Sequence, residues 1–150
     1  MKIAIITSGL LPVPAQKGGA VENLIDYYIQ YNEKVGMHDF TVYSVKPPRP
    51  VQDGRHVRYH FVDAESFFYR IRRKLYVRGF KQEYYDAYLQ YFLHTILKDV
   101  VAGNYDRILL ENRPGYVLEL SRHTQVPLLV HLRTDTMYAG GIELDKVVCE

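Results

Sequence analysis

The first twenty-nine residues place the tightest constraint on this chain: an apolar run, a glycine-rich turn and an amphipathic helix follow one another directly. Residues 2–7 (Lys-Ile-Ala-Ile-Ile-Thr) are short and apolar enough for a buried strand, residues 8–17 read as loop, and Gly18-Gly19 open a helix. A helix N-terminus leaves backbone N–H groups unpaired and carries partial positive charge, so paired glycines there let an anion approach the backbone. The plainer alternative is that the glycines only turn the chain tightly between strand and helix.

Helical spacing after Gly19 puts Val21, Leu24, Ile25, Tyr28 and Ile29 on one stripe, with Glu22, Asp26, Gln30 and Glu33 facing away and Gly36 as the stop. Residues 40–45 and 57–62 read as second and third strands. The link between them carries Lys46-Pro47-Pro48-Arg49-Pro50 and no helical pattern, which leaves their relative direction open. Residues 66–98 are helical in pattern with Gly79 dividing them. Tyr85, Tyr88, Leu89, Phe92, Ile96 and Val100 recur at helical spacing, so the second half is expected to pack on the sheet.

Residues 106–110 are a fourth strand, with Glu111-Asn112-Arg113-Pro114 as the loop at its end and a short helix over 116–122. Residues 127–132 are a fifth strand, Arg133-Thr134-Asp135 a polar loop, and 146–149 the start of a sixth strand. Strands alternating with helices predict an α/β fold: a mostly parallel, Rossmann-like sheet of about six strands flanked by helices, with ligands gathering at the strands' carboxyl ends. The loops that matter are then 8–19, 111–114 and 131–135.

A length of 150 residues and 47% hydrophobic content suit one domain with a real core. The 19 basic and 17 acidic residues nearly cancel, so bulk charge offers no case for nucleic acid. One cysteine, Cys149, excludes an internal disulfide and a multi-thiolate zinc site, which fits a reducing cytoplasm. The apolar start is broken by Thr7-Ser8-Gly9, Pro12 and Pro14, so it reads as strand and loop rather than a signal peptide.

Taken in order, several motifs resemble those of one family. Lys2-Ile3-Ala4-Ile5-Ile6, Pro12-Val13-Pro14 and Gly18-Gly19-Ala20-Val21-Glu22 resemble the opening of a family 4 glycosyltransferase of the GT-B fold. Leu110-Glu111-Asn112-Arg113-Pro114 is similar to that family's N-R-P loop, and Val130-His131-Leu132-Arg133-Thr134-Asp135 to its H-L-H-N-D segment. Asp145-Lys146-Val147-Val148-Cys149 resembles the strand that follows.

The resemblance implies the first, acceptor-side domain of a two-domain enzyme, with the second, donor-binding domain absent from this chain and supplied in cis or trans. It implies a nucleotide-sugar as donor substrate, no separate cofactor or metal, and a glycan or lipid-linked glycan as acceptor. Gly18 and Gly19 would face the donor diphosphate or reaction centre. His131 would hydrogen-bond sugar hydroxyls, with Asp135 beside it for acid–base work, while Glu111, Asn112, Arg113 and Arg133 would contact the acceptor. Arg133 and Thr134 depart from the family's second His and Asn. Read without the family, His131 is a strand-end histidine satisfied by local backbone, Arg113 a loop-fixing ion pair, and Asp135 a helix cap. A non-catalytic docking subunit and a small flavodoxin-like nucleotide-binding domain are the alternative functions.

One segment stands apart from the resemblance. Residues 67–81 hold Arg70, Arg72, Arg73, Lys74, Arg78 and Lys81 with no acid, interleaved with Phe67, Phe68, Tyr69, Ile71, Leu75, Tyr76, Val77 and Phe80. A basic helix carrying aromatic rings suits an anionic bilayer, peripheral on the inner face of a membrane. The same composition also describes a solvated face over a core stripe, or a groove for single-stranded nucleic acid.

Overall fold

The computed structural model describes residues 1–79 and 87–132 and the backbone of 147–148. Its elements run β1 (Lys2–Ile6), α1 (Ala20–Val35), β2 (Asp39–Val45), β3 (Val57–Val62), α2 (Phe67–Gly79), α3 (Ala87–Ala102), β4 (Arg107–Glu111), α4 (Tyr116–His123), β5 (Leu128–His131) and β6 (Val147–Val148). The strands form one sheet in the order β3-β2-β1-β4-β5-β6. Every pairing is parallel. This is the expected α/β, Rossmann-like arrangement, and its strand order reverses between β1 and β4.

Alternation along each strand builds two cores. Ala4 and Ile6 of β1, Ile108 and Leu110 of β4, and Leu128 and Val130 of β5 face α3 and α4, where Phe92, Leu93, Ile96, Tyr116 and Leu120 fill the layer. Ile5, Val42 and Val57 face α1 with Ile25 and Ile29, and Ile3, Tyr28 and Leu109 pack at the edge of that layer. A sheet covered on both faces needs apolar residues at successive positions, which is why residues 3–6 read as a continuous run.

The direction of β3, open in the sequence, is settled by its parallel register with β2, Phe40 opposite Val57 through Val45 opposite Val62. No helix makes this crossover. The link is instead pinned to α1, where the Glu33 carboxylate accepts the N–H groups of Arg55 (3.0 Å) and His56 (2.7 Å).

Helix faces differ from the expectation in three places. In α1 the buried positions are Glu22, Ile25, Ile29 and Asn32, while Leu24 is exposed. The 22/25/29/32 spacing centres one narrow stripe on the single sheet face that α1 meets, and Leu24 falls on its flank. Asn32 tolerates burial because its amide exchanges hydrogen bonds with the His38 backbone beyond the C-cap Gly36. In α3 the stripe runs through Phe92, Leu93, Ile96, Leu97 and Val100, leaving Tyr88 outside. Tyr85 lies outside the described residues.

Candidate functional site

Parallel strands bring all their carboxyl ends to one edge, and the chain reinforces that edge with long-range polar contacts. The loop after β1 is strapped across its neighbours: Val13 N–H donates to Ser44 Oγ at the end of β2 (2.9 Å), and Ala15 N–H to Asp26 Oδ2 of α1 (2.8 Å). Gln16 exchanges two hydrogen bonds with the Arg49 backbone, and Lys17 pairs with Glu65 beyond β3 at 3.1 Å. The buried Tyr116 hydroxyl donates to the carbonyls of Ser8 (3.3 Å) and Leu89 (3.0 Å), joining this loop to α3 and α4.

The other half of the edge is built by β4 and β5. Sequence reading puts Glu111 in a loop, but the structure makes it the last residue of β4, directly opposite His131. Asn112 N–H donates to the His131 carbonyl (2.8 Å), which extends the ladder one residue past the apolar run. Asn112 then takes a left-handed backbone, φ 55, a conformation that asparagine tolerates, and turns the chain toward α4.

Because Leu109 faces α1, Glu111 does too. Its carboxyl is fully buried at 0% exposure, where the Tyr28 hydroxyl of α1 donates to Oε1 and His131 Nδ1 stands 3.5 Å from the same oxygen. A buried carboxylate must be held by donors or cations. Here a phenol and an imidazole perform that task, and the imidazole is itself oriented by it. His131 remains 39% exposed at the edge, so the pair combines a buried anchor with an accessible ring.

At the start of α1, Gly18 and Gly19 adopt φ 77 and 105, backbone that favours glycine. The Gly18 N–H is taken by the Ala15 carbonyl at 3.1 Å. A side chain at Gly19 would collide with Glu22 Oε2, and would come within 2.9 Å of Leu11 Cδ1. The buried Glu22 therefore folds back over the helix N-terminus from the third helical position, where acidic residues complement the helix dipole. The turn lies about 13 Å along the α1 axis from Tyr28, whose side chain slants back toward it.

Of the residues singled out from sequence, the structure unites Glu111, Asn112 and His131, with Gly18 and Gly19 on the same sheet edge. Glu111 is a correction: its burial makes it a support for His131 rather than a surface that meets an acceptor. Arg113 is half-buried, and its Nε is buried with no hydrogen-bond partner among the described residues. Arg133, Asp135 and Lys81 lie outside the described residues.

Within the basic helix, Arg70, Arg72, Lys74 and Arg78 are exposed. Arg73 turns inward instead, its guanidinium 5.7 Å from the Tyr69 ring centre and 5.0 Å from that of Tyr88, which removes it from the set aimed at a membrane. Tyr28 and Glu22 escaped the sequence reading. Glu22 carried a signal, an acid three residues after the helix-opening glycine, whereas Tyr28 looked like one more apolar stripe residue. A depression of about 380 Å³ lined by Asp39, Thr41, Arg55, His56 and Tyr105 lies at the opposite edge, by the amino ends of the strands. Open α/β sheets do not hold ligands there.

No protein-family model matches this chain, and neither does any curated protein. Among solved structures, sucrose-phosphate synthase from Thermosynechococcus elongatus matches with a TM-score of 0.54 and 14% identity, over 89% of this chain and 64% of that one. The chain thus spans a little under two thirds of that structure's length. At this identity the likeness establishes a shared fold.

Proposed function

We propose that this chain is the acceptor-side domain of a GT-B glycosyltransferase, moving a sugar from a nucleotide-sugar donor to a glycan or lipid-linked glycan in cell-surface polysaccharide synthesis. The fold likeness to sucrose-phosphate synthase, a GT-B enzyme, supports this reading, as does the ordered series of motifs from residues 2 to 149. The observation that carries it is the buried Glu111 of β4 holding an accessible His131 of β5, beside the point between β1 and β4 where the strand order reverses.

In this reading His131 hydrogen-bonds hydroxyls at the transferring centre and Glu111 fixes which ring nitrogen faces inward. Asn112, Arg113 and Arg133 grip the acceptor, the guanidinium of the half-buried Arg113 being suited to an anionic group. The resemblance assigns Asp135 as a proton partner for His131. At the Gly18-Gly19 turn the Gly18 N–H is held by the Ala15 carbonyl, and the Gly19 amide is the one that stabilises charge on the departing nucleotide. A second domain holds most of the donor. Transfer is of the retaining kind, the departing phosphate helping to deprotonate the acceptor, so the acceptor-side domain needs no strong base. The enzyme works in the cytoplasm, on the inner membrane face.

The test is an amide chemical-shift map of the chain titrated with a panel of oligosaccharides and lipid-linked sugars. The expected result is saturable shifts at His131, Asn112, Arg113 and residues 18–20, weakened by His131→Ala. Shifts confined to other surfaces for every glycan would overturn the assignment. The reversal of strand order also favours a second reading, a nucleotide-binding domain. Tight saturable binding of a free mononucleotide, with no glycan response, would establish that reading instead.

A further inference from the structure

Helix α2 contains five basic residues and no acidic one, and its two long faces are used differently. Tyr69 and Tyr76 point inward, their rings 5.0 and 5.2 Å from Tyr91 of α3, and Arg73 lies over Tyr69 beside them. Three quarters of a typical amphipathic helix would then be polar. Here the outward face is apolar: Phe67 and Phe68 are 72% and 75% exposed, and Leu75 and Ile71 are 61% and 40% exposed. At the pitch of a helix these four cover about 100° of its circumference.

Exposed cations border that sector on both sides, Arg70 and Lys74 on one, Arg72 on the other, with Arg78 at its far end. The acids next to the helix start are already engaged: Asp63 by Lys46 at 3.6 Å and Glu65 by Lys17 at 3.1 Å. An apolar band rimmed by exposed positive charge matches a surface that is apolar within and negative at its boundary. A protein partner would need an acidic rim around an apolar groove; an anionic bilayer has that layout everywhere.

We propose that α2 is an interfacial membrane helix, seating Phe67, Phe68, Ile71 and Leu75 among acyl chains while Arg70, Arg72, Lys74 and Arg78 lie among anionic headgroups. Phe67 and Phe68 occupy the first turn after β3, so the bilayer meets the protein at the strands' carboxyl edge, the edge of Glu111 and His131. The binding does not rest on the transferase reading. It also fits the finding that no helix among the described residues is long and apolar enough to cross a membrane, since this one lies flat.

The experiment is sedimentation of the intact chain with phosphatidylcholine vesicles carrying increasing phosphatidylglycerol, at low and high salt. Binding is expected to rise with anionic lipid and to fall with salt. The variant Arg70→Gln/Lys74→Gln should weaken it roughly fivefold per charge removed. The exposed pair Phe67→Ser/Phe68→Ser should weaken it at least tenfold at every lipid composition, with folding checked by circular dichroism. Absence of binding, or binding indifferent to lipid charge, would overturn the proposal. So would concentration-dependent self-association lost in the phenylalanine variant without any vesicle binding, because the band would then be a contact between copies. Loss of glycan binding in the shift map leaves these outcomes unaffected, so the two readings fail separately.

Discussion

His131 Nδ1 stands 3.5 Å from Glu111 Oε1, and the two residues are direct partners across parallel strands β5 and β4. The Tyr28 hydroxyl of α1 donates to the same carboxylate oxygen, so one buried charge ties a helix and two strands at the carboxyl edge of the sheet. Removing a donor from a buried carboxylate leaves it undersatisfied. Tyr28→Phe is therefore expected to destabilise the fold by about 1–3 kcal/mol in urea denaturation. In the background of Glu111→Gln the same change should cost less, and this non-additivity in a double-mutant cycle measures the coupling.

The loop after β1 contains a position where even a methyl group has no room. Gly9 has φ 73, and a Cβ there would lie 2.6–2.9 Å from atoms of the Phe92 side chain. Gly18 has a similar backbone, φ 77, but open space around it. Gly9→Ala should cost about 2–4 kcal/mol, from strain plus overpacking, and Gly18→Ala about 1–2 kcal/mol, from strain alone. Thermal denaturation of the two variants side by side checks the order, which a uniform glycine penalty would not produce.

Tyr116 is a buried strut. Its hydroxyl reaches the Ser8 and Leu89 carbonyls, and Tyr116→Phe should cost about 1–2 kcal/mol while keeping the ring packed. Hydrogen exchange in the intact chain should quicken mainly in the loop after β1 and at the start of α3. Uniform quickening would instead mean a loss of global stability only.

Burial raises the Asp26 carboxyl above its ordinary value of 3.8, and the hydrogen bond from Ala15 N–H opposes that shift. A raised carboxyl favours the protonated folded form, so its cost to stability is absent below the ordinary value and grows as pH climbs through the folded value. Asp26→Asn keeps an acceptor for Ala15 without a charge to desolvate. It should melt higher than the parent at neutral pH, and the advantage should shrink as pH falls toward 3.8. An advantage independent of pH would refute the assignment.

Glu22 already complements the partial positive charge at the start of α1, so any phosphate arriving at the Gly18-Gly19 turn meets a carboxylate as well as amides. Glu22→Gln should strengthen binding of inorganic pyrophosphate or a nucleoside diphosphate by roughly three- to tenfold, read by calorimetry. Unchanged or weaker binding would mean that anions do not use this helix terminus.

The readings that held from residues alone were local: which segments form strands and which form helices, because period-two and helical apolar patterns and glycine stops act over a few residues. Strand β3 was bounded correctly from residues 57–62, and Gly36 closes α1 as its position implied. Strand–helix alternation marked 111–114 and 131–135 as edge loops, and the resemblance gave Asn112 and His131 their roles within them. Tertiary structure alone decided what depended on partners distant in the chain. The parallel direction of β3, the burial of Glu111 against Tyr28, 83 positions away, and the inward turn of Glu22 all follow from register and from which face a neighbour covers. Helix α2 makes the same point in reverse: its rings were interleaved with cations along the chain, and only packing against Tyr91 buried Tyr69 and left Phe67 and Phe68 facing outward. Periodicity defines a face, but the free energy of covering it belongs to whichever surface the folded chain brings alongside.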